Sequence, residues 1–457
     1  MNTSSRTRIL KRLAACALWL GVWQAAGLLV GSDILLASPL DTCRRLVSIV
    51  ASERSLPILW FSFSRIAGGF LAAFVLGVAL GFLANRSSLI RELLAPLVLA
   101  FKSIPVACIV VLLLIWVGSR EVSGIAVFLM AFPALYLATV EGLGQVDEKL
   151  GQMLSVFGVG PVRRLLAHTW PSLLPYLVAT SRNACGMAWK AGVAAELIGT
   201  PLGSMGERIY QAKILLETAD LFAWTVIVVA VSYLCEQAFL WLLRQTGPVA
   251  LRCAVPRAGV PSATPAQPEP IALKDASLGY DGTSVVEKLT LSLSAGERGV
   301  LTDASGTGKT TLLLTVAGLL PELAGTVQRP QSLSMVFQET RLIEELDAED
   351  NVLLVGAGGL SRTDVRSLLL ELLPEEALGR PVRELSGGQR RRVELARALA
   401  HPSAALLLDE PFSSLDEETH EQAVRVVVLH LNGRTLLMSS HALEDVSALD
   451  ARQLTLS

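Results

Sequence analysis

An apolar run that ends in two acidic residues constrains the fold of this chain more than any other feature. Residues Ala405–Leu408 are followed directly by Asp409 and Glu410. Such a short apolar run predicts a buried β-strand. At its end, Asp409 is placed to bind a hydrated Mg²⁺, and Glu410 is placed to polarise an attacking water. The stretch therefore predicts a nucleotide-hydrolysing site at the carboxyl end of a strand.

A glycine-rich loop upstream predicts the phosphate contacts of the same site. Gly306 and Gly308 allow a nucleotide to approach the backbone closely, Lys309 neutralises phosphate charge, and Thr310 offers its hydroxyl to Mg²⁺. The strand Arg298–Thr302 is predicted to lead into this loop. The predicted nucleotide-binding residues of the loop are Ser305, Gly306, Thr307, Gly308, Lys309, Thr310 and Thr311.

The first position of this loop departs from the usual pattern. Six residues before Lys309 the pattern requires glycine, and this chain has Asp303. A carboxylate that faces the phosphates repels them, so Asp303→Gly is expected to tighten ATP binding. If the carboxylate caps the loop through its own backbone N–H groups, the same change weakens binding. The first alternative is the slightly favoured expectation.

The composition indicates a membrane protein with a water-soluble part. Hydrophobic residues make up 52% of the chain and charged residues 18%, which is too apolar for an ordinary soluble protein. The long uncharged runs fall in residues 1–245, whereas residues 270–457 have the composition of a soluble α/β domain. The net charge of −2 gives no reason to expect nucleic acid as a partner. The six cysteines lack metal-binding spacing and are expected to be free thiols.

Six apolar runs are long enough to cross a lipid bilayer. Basic residues flank them on one side, which predicts that this side is cytoplasmic and holds the soluble part. The basic N-terminal stretch also fits a signal peptide, although an uncleaved first helix is favoured because further spans follow. The predicted spans are residues 13–30, 58–84, 94–117, 122–143, 173–198 and 219–243.

Two features of these spans suggest packing and selectivity. Gly77 and Gly81 form a pair of small residues that favours close helix packing. Arg182 and Lys190 lie on the fifth predicted span. Most charged residues in spans lie at helix ends or in pairs, but either of these two is a candidate to face the pathway and to favour an anionic solute.

The C-terminal motifs, taken in order, resemble the ATPase cassette of ABC transporters. The segment Leu385–Gln389 reads Leu-Ser-Gly-Gly-Gln, and Ser413–Asp416 reads Ser-Ser-Leu-Asp. The resemblance implies a soluble α/β P-loop ATPase that binds ATP and Mg²⁺. It implies catalytic roles for Glu410, Gln338 and His441, Mg²⁺ contacts from Thr310, Gln338 and Asp409, and nucleotide contacts from Tyr280, Ser386, Gly387, Gly388, Gln389 and Asp416, beside those of the loop.

The N-terminal half resembles the permeases of binding-protein-dependent importers. The segment Gln152–Gly158, followed by Leu174-Pro175, is similar to their cytoplasmic coupling loop, with its Glu-Ala-Ala replaced by Gln152-Met153-Leu154. Lys102–Pro105 and Ala195–Gly199 are similar to segments of the nitrate, sulfonate and taurine group. The resemblance implies an all-α permease fused to the ATPase. The segment around Gly158 is expected to dock on the ATPase near Gln338 and the small helical subdomain predicted over Glu339–Glu384. Gly158→Asp is then expected to add a buried charge.

Together the resemblances imply an ATP hydrolase coupled to transport in the cytoplasmic (inner) membrane. In the family a signature such as Ser386-Gly387-Gly388 completes the ATP site of the opposite cassette, so a homodimer in membrane lipid is expected. A separate extracytoplasmic solute-binding protein is expected to deliver a small solute, favoured as an anion such as a sulfonate, nitrate or taurine. The alternatives are import of a thiamine-precursor-like or other small organic solute, an exporter, and an ABC machine that transports nothing.

Three regions follow from this interpretation. Residues 1–245 are predicted to form the permease and residues 271–457 the ATPase. Residues 246–270 contain six prolines and are predicted to be an extended linker without helix or sheet.

Overall fold

The fold is described from a computed structural model that shows two compact units. One unit contains Met1–Gln145 and Leu173–Thr246, and the other contains Val146–Ser172 and Gly247–Ser457. The described residues are 3–32, 34–256, 266–280, 282–356 and 360–456.

The N-terminal half is helical throughout the described residues, apart from short connections. Its helices are α1 (Thr3–Val30), α2 (Pro39–Val50), α3 (Ser55–Arg86), α4 (Ser88–Ser103), α5 (Val106–Val117), α6 (Val122–Gly144), α7 (Glu148–Val156), α8 (Pro161–Arg164), α9 (Trp170–Gly199), α10 (Met205–Ile214) and α11 (Thr218–Ala254), and one π-helical turn, Leu165–Thr169, joins α8 to α9.

The core of the first unit depends on the close packing of α3 against α6. A Cβ atom at Gly69 would lie 2.1 Å from the carbonyl oxygen of Gly124, and one at Gly81 would lie 2.6 Å from the side chain of Thr139. At Gly77 the nearest atoms belong to Leu135 and the backbone that follows it. The predicted role of Gly77 and Gly81 in helix packing is therefore confirmed, because larger side chains would separate the two helices.

The predicted span over residues 94–117 is not one continuous helix. The structure has two helices there, α4 and α5, bent by 106° at the break between them. Ile104 adopts an extended conformation, with ψ of 127°, directly before Pro105. A proline disfavours the helical conformation of the residue that precedes it, so α4 ends there and α5 begins anew after Pro105.

Within the described residues, three helices are long and apolar enough to cross a membrane: α3, α6 and α11. The bent pair α4 and α5 is a fourth candidate if it forms one span. The apolar part of α1 is shorter, Ala14–Val30. The long helix α9 carries Arg182, Lys190 and Glu196. The membrane-spanning role of α1 and α9 therefore remains a prediction from the sequence.

The second unit contains two sheets. The antiparallel sheet has the order β2-β1-β4, and the parallel sheet has the order β5-β6-β7-β3-β8. The strands are β1 (Ile271–Tyr280), β2 (Thr283–Leu293), β3 (Arg298–Leu301), β4 (Glu322–Gln328), β5 (Leu333–Val336), β6 (Ala405–Asp409), β7 (Thr435–Ser439) and β8 (Arg452–Leu454).

Helices cover the parallel sheet and form the predicted small helical subdomain after Gln338. In chain order they are α12 (Lys309–Val316), α13 (Ala348–Val355), α14 (Arg362–Leu370), α15 (Glu375–Leu378), α16 (Gly387–Ala400), α17 (Glu417–His430) and α18 (Glu444–Ala448), with a 3₁₀ turn at Val382–Glu384. Their apolar faces and the strands share one buried core.

The prediction that residues 246–270 hold no helix is wrong for their first part. Helix α11 continues to Ala254 with Pro248 inside it. Leu251, Ala254 and Val255 are buried in the core of the second unit. Their burial favours the helical conformation and offsets the cost of the proline, which is about 3 kcal/mol in a helix interior. Residues 257–265 of the predicted linker lie outside the described residues.

Candidate functional site

The site begins where adjacent parallel strands end. Strands β6 and β7 pair so that Asp409 lies opposite Ser439. Glu410 follows β6, and His441 follows β7 two residues after Ser439. Because the carboxyl ends of parallel strands meet at one edge of a sheet, residues distant in sequence come together there.

Asp409 is held on one side and open on the other. The hydroxyl of Ser439 donates a hydrogen bond to its Oδ1 atom over 2.7 Å. Its Oδ2 atom is buried and has no hydrogen-bond partner among the described residues. Burial raises the pKa of Asp409 above its usual range, and the neighbouring hydroxyl groups of Ser439 and Thr310 oppose this rise. The free oxygen is an unsatisfied acceptor at a site where a cation would satisfy it.

Glu410 lies in contact with His441. The Nε2 atom of His441 is 3.0 Å from Oε1 of Glu410. The backbone of Glu410 has a φ of 46°, a left-handed conformation that is uncommon for a residue with a Cβ atom. The structure therefore joins the two residues that the sequence predicted to be catalytic, in a conformation that needs support from neighbours.

The phosphate loop folds around its own lysine. Gly306 and Gly308 have φ values of 84° and 102°, which the left-handed turns of this loop require. The ammonium group of Lys309 donates to the carbonyl oxygens of Asp303 and Ala304. Ser305 and Thr307 are exposed at the tip of the loop. The ammonium group of Lys309 is therefore hydrogen-bonded within its own loop, and phosphate oxygens can replace these carbonyl oxygens.

Thr310 connects the loop to Gln338. Its hydroxyl lies 3.5 Å from Oε1 of Gln338, two residues after the end of β5. On the other side of α12, the hydroxyl of Thr311 lies 3.5 Å from the phenolic oxygen of Tyr280. Tyr280 is the last residue of β1 and is half-exposed. An exposed aromatic ring beside the phosphate loop can stack on a nucleotide base.

The slightly favoured expectation for Asp303, a carboxylate that faces the phosphates, is wrong. Its Oδ2 atom accepts a hydrogen bond of 3.1 Å from the backbone N–H of Leu456. Next to it, the hydroxyl of Thr302 accepts a bond of 2.8 Å from the side chain of Gln453. The carboxylate does not cap its own loop either: it ties the start of the loop to the segment that follows β8.

The signature segment forms the start of α16. Ser386 accepts a bond of 3.3 Å from the backbone N–H of Gln389, whose side chain accepts one of 3.0 Å from the N–H of Ser386. Gly387 and Gly388 are the first residues of the helix. Within the described part of the chain, Ser386 bonds to its own helix and to no residue of the phosphate loop. An exposed helix N-terminus of this kind favours an anion.

Asp416 has a structural role at the start of α17. Its side chain accepts hydrogen bonds of 2.9 and 2.8 Å from the backbone and the hydroxyl of Thr419. These bonds lower the pKa of Asp416. The structure shows Asp416 as a helix cap, and its predicted contact with nucleotide remains a prediction.

Sequence analysis missed Ser439 and Arg391. Arg391 is almost fully buried on α16, where its guanidinium donates hydrogen bonds of 2.6 Å to the carbonyl oxygens of both Asp409 and Glu410. A run of three arginines directly after the signature was the available signal. A buried arginine must find several hydrogen-bond acceptors, and Arg391 finds them in the carbonyl oxygens at the end of β6.

The segment predicted to couple the two halves packs within the second unit. Met153 and Leu154 of α7 belong to its buried core. Lys149 forms an ion pair with Glu339, the residue after Gln338. Gln152 accepts a bond of 3.0 Å from Arg341. The predicted docking of this segment near Gln338 is therefore confirmed.

Gly158 forms the turn after α7, where its N–H donates to the carbonyl oxygen of Ser155 over 3.0 Å. It has a φ of 63° and is exposed, and a Cβ atom at this position would have no neighbour within 4 Å. The expectation that Gly158→Asp would bury a charge is wrong. The buried anchor is the preceding residue, Phe157, whose ring lies edge-on to His401 at 5.2 Å and under the guanidinium of Arg397.

Comparisons with known proteins agree with this geometry. Residues 286–413 match the ABC transporter family, and residues 69–243 match the family described as binding-protein-dependent transport system inner membrane component. The chain is 37% identical to the aliphatic sulfonates import ATP-binding protein SsuB 1 of Pseudomonas fluorescens over 182 residues, which are 39% of this chain and 70% of that protein. It is 36% identical to the taurine import ATP-binding protein TauB of Escherichia coli O157:H7, over 36% of this chain and 71% of that protein.

Other similar proteins cover the same half. The chain is 37% identical to the sn-glycerol-3-phosphate import ATP-binding protein UgpC of Paracoccus denitrificans and spans 54% of its length. A solved dimeric structure of a bacterial ABC transporter cassette is 26% identical, with a TM-score of 0.37, over 41% of this chain and 94% of that one. The chain therefore belongs to the ABC transporter family, and it carries the permease and the ATPase of an importer in one polypeptide.

Proposed function

We propose that this chain is one half of a homodimeric importer that uses ATP to move a small anionic solute across the cytoplasmic membrane. The permease function is assigned to residues 1–245 and ATP hydrolysis to residues 271–457. The observation that carries the proposal is the burial of Met153, Leu154 and Phe157 in the core of the ATPase unit. A segment from the permease half that is buried there can transmit a change in the ATPase to the helices on either side of it.

The arrangement of the site supports Mg²⁺-dependent ATP hydrolysis. No cluster of three or more His, Cys, Asp or Glu side chains suited to a metal occurs in the described residues. Mg²⁺ bound to nucleotide needs few protein ligands, because phosphates and waters complete its shell. The hydroxyl of Thr310, the amide oxygen of Gln338 and the free Oδ2 of Asp409 suit it. When bound, Mg²⁺ neutralises charge that develops on the phosphates.

The remaining residues of the site position nucleotide and water. Lys309 exchanges its two backbone carbonyls for phosphate oxygens, and the first turn of α12 adds N–H donors. Glu410 orients and deprotonates the attacking water. His441, hydrogen-bonded to Glu410, fixes the carboxylate and faces the terminal phosphate. Tyr280 stacks on the base.

A second copy of the chain is needed to complete this site. Ser386, Gly387 and Gly388 present a helix N-terminus and make no contact with the phosphate loop of their own chain in its described part. In a two-fold homodimer each signature would cover the nucleotide of the partner, which gives two composite sites. A separate extracytoplasmic binding protein delivers the solute.

The anionic solute is supported by Lys190. Its exposed ammonium group has no ion-pair partner among the described residues and borders a cavity of about 250 Å³ in the permease unit. Met130, Met187 and Ala194 line the same cavity. Lys190 lies nine residues before the end of α9, about 14 Å along the helix at about 1.5 Å per residue. A lysine inside a predicted span needs a polar partner or a functional role.

The names of similar proteins help to choose between an anionic and a cationic solute. Sulfonates and taurine appear among them, and so does thiamine. Thiamine carries a fixed positive charge, which an unpaired lysine in the pathway disfavours. Import of a thiamine-like cation is therefore the second candidate, and a small anion is the first.

The test begins with a search of the genes beside the one for this chain for a secreted solute-binding protein, which is then purified. We expect calorimetry to detect binding of taurine, methanesulfonate or nitrate and no binding of thiamine. The full chain in proteoliposomes, with ATP inside, should then take up the radiolabelled anion that was bound. A chain with Glu410→Gln is the negative control, and uptake that is independent of ATP would refute import by hydrolysis.

The role of Lys190 has its own comparison. Lys190→Gln should reduce anion uptake and leave ATP hydrolysis intact. Lys213→Gln, at an exposed lysine outside the cavity, is the matched control. Equal uptake by both variants would remove the support for an anionic pathway but would leave ATP-driven import standing.

A further inference from the structure

Glu410 has a backbone conformation that the rest of the site must enforce. Its φ of 46° lies in the left-handed region, where a Cβ atom is disfavoured. The direction of the Glu410 side chain toward His441 depends on this conformation. A residue in a disfavoured conformation keeps it only when its surroundings hold the peptide groups on both sides.

Ser439 holds the peptide group before Glu410. The N–H of Glu410 lies 3.2 Å from the carbonyl oxygen of Ser439 and 3.0 Å from its hydroxyl oxygen. The same hydroxyl donates its proton to Oδ1 of Asp409. One fully buried side chain therefore connects the two acids, and it determines that Oδ2 is the oxygen of Asp409 left free.

Arg391 holds the peptide groups after Asp409. Its Nη2 atom donates to the carbonyl oxygens of Asp409 and Glu410, and its Nε atom donates to that of Pro411 over 3.2 Å. Glu394 accepts from its Nη1 atom over 3.2 Å. The guanidinium is rigid and planar, so these carbonyl oxygens are fixed relative to one another.

We infer that Ser439 and Arg391 form a two-sided clamp on Glu410 and act as positioning residues for ATP hydrolysis, an inference that rests on the proposed catalytic role of Glu410. Neither side chain is placed to touch nucleotide. The clamp sets the direction of the Glu410 carboxylate and the rotamer of Asp409. Nucleotide affinity depends mainly on other groups, the phosphate loop above all, so loss of the clamp slows turnover more than it weakens ATP binding.

The decisive variants are Ser439→Ala and Ser439→Thr in the full chain, purified in nanodiscs. Alanine removes both side-chain bonds, and we expect kcat to fall about tenfold to a hundredfold, the range for a lost bond to a charged group. KM for ATP and the affinity for a fluorescent ATP analogue should change less than about twofold. Threonine restores the hydroxyl and should restore most of kcat.

Ser334→Ala is the matched control. Ser334 is also fully buried in the parallel sheet, and its hydroxyl bonds to Ser403, not to a catalytic residue. We expect this control to keep its kcat and to show the cost in thermal midpoint of losing a buried serine. If Ser439→Ala and Ser334→Ala have the same kcat, or if Ser439→Thr is as slow as Ser439→Ala, the clamp is refuted.

Arg391→Lys tests the other side of the clamp. Lysine keeps the positive charge but cannot reach three carbonyl oxygens in fixed geometry. We expect kcat to fall with little change in KM, as for Ser439→Ala. A folded Arg391→Lys protein with unchanged kcat would contradict the clamp, and if this variant does not fold, the two variants of Ser439 decide the question.

Discussion

The contact between Asp303 and Leu456 predicts how the phosphate loop keeps its shape. In the structure the carboxylate accepts the N–H of Leu456 over 3.1 Å. Asp303 is not among the residues with positive φ, so glycine is not needed for its conformation. Asp303→Gly therefore removes a tether and adds flexibility without relieving strain.

The two losses have estimable magnitudes. A partly exposed hydrogen bond contributes about 1 kcal/mol, and the added freedom of glycine costs about 0.5–1 kcal/mol. If ATP binding must restore the order of the loop, the sum of about 1.5–2 kcal/mol should weaken the ATP affinity of Asp303→Gly about tenfold to thirtyfold. Asp303→Asn keeps an acceptor for the N–H of Leu456 and removes the charge, so we expect its affinity to change less than about threefold.

The assay is a titration of the full chain with ATP and Mg²⁺, followed by calorimetry in a Glu410→Gln background that prevents turnover. The pair of variants separates the effect of charge from the effect of the tether. If charge repulsion dominates, both variants bind ATP more tightly than the parent. Tighter binding by Asp303→Gly, or an equal gain in both, would refute the tether.

Three further predictions concern hydrolysis, assembly and coupling. Glu410→Gln should bind ATP and abolish turnover, and turnover at the original rate, measured by phosphate release, would show that another group activates the water. When a Lys309→Ala chain is mixed with a Ser386→Arg chain, the mixed dimer should regain one intact composite site. It should then show partial ATPase activity that neither homodimer has. A fully active monomer, identified by sedimentation, would contradict the dimer. Lys149→Glu should reduce the stimulation of ATPase activity by the binding protein while basal ATPase activity persists. The double variant Lys149→Glu with Glu339→Lys reverses the ion pair and should restore the stimulation. If the double variant shows no recovery, the ion pair does not carry the coupling.

The sequence predicted the site well where its chemistry is local. The phosphate loop and the strand before Glu410 each specify their geometry within a few residues, through glycines or an apolar run. Asp303 could not be placed in the same way. Its partner, Leu456, is 153 residues away and meets it only because β8 pairs with β3. Ser439 depends likewise on the pairing of β7 with β6.

The errors in the helical half have a different cause. The break between α4 and α5 had a local signal, the pair Ile104-Pro105. A hydropathy profile does not show it, because the residues on both sides of the bend are apolar. The opposite error was made with Pro248, where proline content predicted a linker. There the helix persists because Leu251 and Ala254 are buried, and burial cannot be read from composition.

The residues around Gln338 connect the segment proposed to couple the two halves with the candidate ATP site. Gln338 contacts Thr310 of the phosphate loop, and the next residue, Glu339, pairs with Lys149 of α7. Arg341 then donates to the backbone carbonyl of Lys149 over 3.2 Å. Neighbouring side chains of one short segment thus contact the ATP site on one side and the coupling helix on the other. Because Gln338 and Glu339 are adjacent in the chain, we expect a shift of this backbone toward nucleotide to move the partner of Lys149 as well.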